Sequence, residues 1–118
     1  MARLKLSIVL GSGARFGPGK AALLESIRDT GSISAAAREM EMSYKRAWLL
    51  LDSINQAFEE PAVVAATGGQ HGGGARLTPF GRDLLDRYRR MEARALDESA
   101  DDLAALEAAA RPTPGPKV

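Results

Sequence analysis

Apolar and polar positions follow two rhythms along this chain, and the changes between them mark its elements. Residues 4–10, "LKLSIVL", put Leu4, Leu6, Ile8 and Leu10 on one face and Lys5, Ser7 and Val9 on the other, the period of a half-buried strand. A glycine-rich loop, "GSGARFGPG", follows. Leu23, Leu24 and Ile27 then give a helix over 20–29 its inward face, with Gly31 at its end. Ile33, Ala36, Ala37 and Met40 stand at i, i+3, i+4 and i+7, which predicts a two-turn helix over 34–40 capped by Ser32 or Ser34. Ser43 caps a third helix over 43–58, whose Ala47, Leu50, Leu51, Ile54 and Phe58 form one stripe before Pro61 stops it. "AVVAA" and "ARLT" read as short strands flanking "TGGQHGGG", a hairpin tip dominated by Gly68, Gly69, Gly72, Gly73 and Gly74. Thr78 as N-cap and Pro79 at the first helical position open a helix that is expected to run unbroken to about Ala110. The final "RPTPGPKV" has the composition of a disordered tail.

The interruption between Met40 and Ser43 contains neither proline nor glycine. A short helix, a break and a longer capped helix form the helix-turn-helix layout, in which small residues at 36 and 37 let the backbones approach and Met40 and Met42 fill the corner. With the Ala47 stripe turned inward, Lys45 lies nearly opposite and Tyr44 and Arg46 lie on the flanks. The first turn of that helix, with its partial positive charge and free amides, suits a DNA phosphate, and its side chains suit a major groove. Leu49 falls on the outward face with Asp52, Ser53 and Gln56, where the pattern gives it no role. Trp48, at the edge of the stripe, is expected as a core aromatic. The order strand, helix, short helix, capped helix, glycine-tipped hairpin is that of a winged helix. Arg76 on the wing strand, with Thr67, Gln70 and His71 near its tip, then stands within reach of phosphates or the adjacent minor groove.

Composition narrows the chemistry. The chain has 118 residues, 45% hydrophobic and 26% charged, enough for one small domain. It has no cysteine, which excludes disulfides, thiolate metal sites and cysteine nucleophiles and fits a cytoplasmic protein, nucleoid-associated when bound to DNA. No export signal is read. The net charge of +1 conceals a polarity: residues 1–94 hold 14 Lys or Arg against 10 Asp or Glu, while five acids and no base lie from Asp97 to Glu107. The body of the chain therefore suits an anionic partner. "GSGARFGPGK" has a phosphate-loop flavour, but Ala14, Ala21 and Phe16 stand where the two nucleotide patterns need other residues. His71 is the only histidine, and a metal site or catalytic triad would have to be built around a loop tip. No enzyme, no cofactor and no metal is expected.

From Gly31 to about Tyr88, "GSISAAAREMEMSYKRAWLLLDSIN" and then "TGGQHGGGARLTPFG" resemble the N-terminal winged helix domain of the ModE family of molybdate-responsive transcription regulators. The resemblance implies a regulator that binds operator DNA as a two-fold symmetric dimer. Ser43, Tyr44, Lys45 and Arg46 then lead the recognition helix, Ser34 and the wing residues Thr67, Gln70, His71 and Arg76 complete the DNA surface, and the helix after the wing carries the dimer contact. Independently, Phe80, Leu84, Tyr88, Met91 and Ala95 are spaced 4, 4, 3 and 4 apart and lead on to Leu96, Leu103 and Leu106, a seam fit for another helix. In that family C-terminal domains bind the oxyanion, and these 118 residues hold no counterpart. A single-domain relative, a separate oxyanion-sensing partner and a truncation all stay open.

The expected fold class is mainly α with a small antiparallel β-sheet. Residues 1–78 form a winged helix-turn-helix, 79–110 a long dimerisation helix and 111–118 a disordered tail. Two other readings carry tests of their own. One is a nucleotide-dependent enzyme using Lys20. The other is a protein-interaction or oxyanion-sensing module on the same scaffold without direct DNA binding.

Overall fold

The first helix is the body against which the next three helices and the second strand of the hairpin pack. In the computed structural model, which describes residues 1–66 and 74–117, α1 spans Pro18–Thr30, opened by proline at its first position and ended by Gly31 at φ 69°. Its Ala21, Leu23, Leu24 and Ile27 are fully buried. Helices α2 (Ile33–Glu39), α3 (Tyr44–Ala57), α4 (Pro79–Glu98) and α5 (Ala100–Ala109) follow. The strands are β1 (Ile8–Val9), β2 (Arg15–Phe16), β3 (Val63–Ala66) and β4 (Gly74–Leu77). This is the mainly α winged helix arrangement expected.

Two elements differ from expectation. Of residues 4–10 only Ile8 and Val9 enter a ladder, pairing antiparallel with Phe16 and Arg15. The second half of the supposed loop is thus a strand, folded back by a turn in which Leu10 N–H donates to Ala14 O and Gly13 takes φ 92°. The ladder is short because Gly17 and Pro18 turn the chain into α1 two residues later. The C-terminal helix is not continuous either. The break at Ser99 places Asp101 and Asp102 favourably in the first turn of α5, which offsets the unfavourable position it gives Asp97 and Glu98 at the negative pole of α4.

The core is built from Phe16, Leu23, Leu24, Ile27, Ile54, Leu85 and Tyr88. Phe16 meets Tyr88 edge to face at 5.3 Å, and the buried Tyr88 hydroxyl donates to Leu6 O at 2.7 Å, which pins the N-terminal segment to α4. Leu84 is buried beside them. Leu84 and Tyr88, expected on a seam for a second helix, therefore face this chain's own core. A stripe at helical spacing does not say which body it meets. Phe80 likewise packs against Phe58, ring centres 5.3 Å apart. Arg89 of α4 pairs with Glu25 of α1, and Ser26 of α1 donates to the carboxylate of Glu39 in α2. No helix among the described residues is long and apolar enough to cross a membrane.

Candidate nucleic-acid interface

The turn between α2 and α3 is a Schellman closure. Met42 N–H donates to Ala37 O at 2.9 Å and Glu41 N–H to Arg38 O at 3.1 Å, with Glu41 itself left-handed at φ 55°. A glutamate thus holds the backbone shape usually given to glycine, and this is how the chain breaks without one. Ala36 and Ala37 are buried at the crossing, and Met40 and Met42 pack on the core around it. Ser32, not Ser34, caps α2 by accepting from Ala35 N–H at 3.2 Å. Ser34 is exposed in the first turn.

Ser43 accepts from Arg46 N–H at 3.1 Å and starts α3. Ser43, Tyr44, Lys45 and Arg46 are all exposed. Among the described residues neither Lys45 nor Arg46 is held in a salt bridge. A free cationic turn at the positive pole of a helix is an electrostatic match for phosphate. Trp48 departs from expectation: it is 48% exposed and lines an open groove of about 300 Å³ between α3 and the β3–β4 hairpin. Tyr44, Ile33, Asn55 and Val64 share that groove. On the other flank of α3, Arg46 and Leu50 border a hollow with Arg15 and Lys20.

The β3–β4 hairpin is fixed to α3 by a residue that the apolar periodicity does not mark. Asn55 of α3 donates to Val63 O at 2.9 Å and accepts from Ala62 N–H at 2.8 Å and Val63 N–H at 3.2 Å. The other strand is held from below, where Ala75 N–H donates to Gly31 O at 3.0 Å and Gly74 bridges to Ser32. The α4 N-terminus meets the same place. Thr78 caps Gly81 N–H at 2.9 Å while its hydroxyl donates to Pro61 O at 2.6 Å, and the missing side chain of Gly81 is filled by the Ala62 carbonyl. A polar residue seven and eight positions before its partners, across Pro61, carries no periodic signal, so the sequence marks Asn55 only as an amide on the flank of an apolar stripe.

Arg76 is exposed on β4, but it does not line the groove beside α3. It borders hollows with Arg82 and, on one side, Arg28. Thr67, Gln70 and His71 lie outside the described residues. Lys20 donates to Arg15 O at 2.8 Å and to Ser53 Oγ at 3.1 Å, tying α1 to α3. Of the expected pairing residues, Met91 and Leu106 are exposed and Ala95 and Leu103 are half-buried, with Leu96 exposed between them.

Known proteins share this region. The chain is 51% identical over 82 residues to the molybdenum-pterin-binding protein MopB of Rhodobacter capsulatus, covering 70% of this chain and 30% of that protein. It is 41% identical over 93 residues to the transcriptional regulator ModE of Yersinia pestis, covering 76% and 35% respectively. Over 88 residues it is 40% identical to the DNA-binding transcriptional dual regulator ModE of Escherichia coli strain K12, covering 72% and 34%. These matches fall in the N-terminal part of the relatives, and the chain spans about a third of their length. No family model matches the chain.

Proposed function

We propose that the chain, which matches the N-terminal part of ModE-type transcription regulators, binds duplex DNA sequence-specifically, as a dimer on a pseudo-palindromic operator. The observation that carries this reading is the exposed, Ser43-capped first turn of α3, whose Tyr44, Lys45 and Arg46 make no salt bridge among the described residues. Phosphate contacts from this turn position the protein, and Lys45 or Arg46 reaches base edges in the major groove. The β3–β4 hairpin lies on the flanking backbone. The exposed apolar side chains of α4 and α5, beginning at Met91, join two copies. Half-sites then recur about one helical turn, roughly 34–36 Å, apart or at a multiple of it.

Selection of bound fragments from random DNA, followed by salt titration of the recovered duplex, tests the reading. Affinity is expected to fall steeply with salt, because each neutralised phosphate adds about 0.9 to the log–log slope. Arg46→Ala is expected to cost about 1–3 kcal/mol on the selected duplex if the contact is to a base, and to relax preference at that position. A duplex preference that is absent, or binding indifferent to salt, overturns the proposal.

A further inference from the structure

Leu49 is 51% exposed, on the outward face of α3 one turn beyond Lys45. Among the described residues no packing partner accounts for it. The groove on one side of the helix is lined by Tyr44, Trp48, Asp52 and Asn55, and the hollow on the other by Arg46 and Leu50; Leu49 belongs to neither. It stands between them, in line with Lys45, at the centre of the face that the cationic turn presents. An apolar side chain with Lys45 and Arg46 one turn before it, and uncharged Ser53 and acidic Asp52 one turn after, suits a surface that is anionic on one side and apolar at one point within. In a duplex the major groove offers that combination at one base only, since thymine alone carries a C5-methyl group there.

We propose that Leu49 is a specificity-determining residue that packs against a thymine methyl, an inference that rests on the DNA-binding reading above. Four residues along a helix advance about 6 Å, close to two base-pair steps of about 3.4 Å, so the thymine lies about two base pairs from the position Lys45 reaches. Trp48, the neighbouring exposed apolar residue, belongs to the wall facing the wing and is not needed for this contact.

The test removes the methyl and nothing else. Each thymine of the selected duplex is replaced in turn by deoxyuridine, and Kd is measured for the wild type, Leu49→Ala and Leu49→Met. At one position per half-site the wild type is expected to lose about three- to fivefold in affinity, the worth of burying roughly one methyl. Leu49→Met is expected to keep that sensitivity, while Leu49→Ala binds the thymine and deoxyuridine duplexes equally. Alanine is a strong helix former, so circular dichroism of that variant is expected to match the wild type. Salt-dependent binding of the selected duplex, with no deoxyuridine position that separates wild type from Leu49→Ala, overturns the thymine contact and leaves the DNA-binding reading standing. Loss of duplex binding by the wild type itself overturns both.

Discussion

Glu41 and Tyr88 show how single residues hold conditions that the rest of the fold depends on. At φ 55° Glu41 bears the roughly 1–2 kcal/mol cost of a left-handed L-residue, and the two Schellman hydrogen bonds hold it there. Glu41→Gly is therefore expected to leave the thermal midpoint unchanged or slightly raised. Glu41→Val, β-branched in the same backbone state, is expected to lower it by roughly 3–6 °C, about 1 kcal/mol; a calorimetric comparison of the two decides. The break at this point was legible from the caps and stripes around it. Its backbone was not, because glutamate carries no turn signal. Tyr88 depends on pH. Burial, followed by the nearby Glu92 carboxylate, raises its pKa above the ordinary 10.0. The neutral phenol is thus favoured in the folded chain, and its contribution to stability, complete below about pH 10, declines as pH rises through the folded value. Urea melts at pH 9 and pH 11 are expected to show a smaller loss of stability in Tyr88→Phe than in the wild type, since phenylalanine keeps the contact with Phe16 and removes the titration.

Among the elements, the hairpin and the helix ends packed beneath it decide whether α3 and the wing act together. Alanine normally favours a helix over glycine by about 1 kcal/mol. At Gly81, however, a Cβ would overlap the carbonyl of Ala62, and backbone must move to admit it. The clash outweighs the propensity, and Gly81→Ala is expected to destabilise by roughly 3 kcal/mol in a denaturant titration. Asn55→Ala strands the amides of Ala62 and Val63 and the carbonyl of Val63, an expected loss of about 2–3 kcal/mol, together with weaker duplex binding. The succession of helices and the wing strands was readable from period and caps, since both are local. The β1–β2 pairing and the break at Ser99 were not. One depends on where a two-residue ladder finds its partner, and the other on charges at helix poles that a periodicity of apolar residues does not register.

The whole molecule extends over 53 × 27 × 25 Å, with α4 and α5 running away from the winged core. The sequence offered one apolar stripe along this arm. In the fold its first part, Leu84 and Tyr88, is buried internally, and the large apolar side chains left exposed, Met91, Leu96 and Leu106, all lie beyond it. Met1 and Ala2 lie beside Leu96, Leu103 and Ala104 on α4 and α5, so the N-terminal segment forms one edge of that surface. Exposed Leu96 and Leu106 on such an arm cost solvation unless they are covered. Light scattering is expected to give about 25 kDa, twice the 12.5 kDa of one chain, and Leu96→Glu with Leu106→Glu is expected to shift the species towards 12.5 kDa without lowering its helix content. The Ala62 peptide, where α3, the wing and α4 are fastened to one another, gives such a pair its character. If two copies pair through the arm as proposed, that joint fixes the heading of each α3 relative to it, and moving the two halves of the selected duplex apart by a few base pairs is expected to weaken binding.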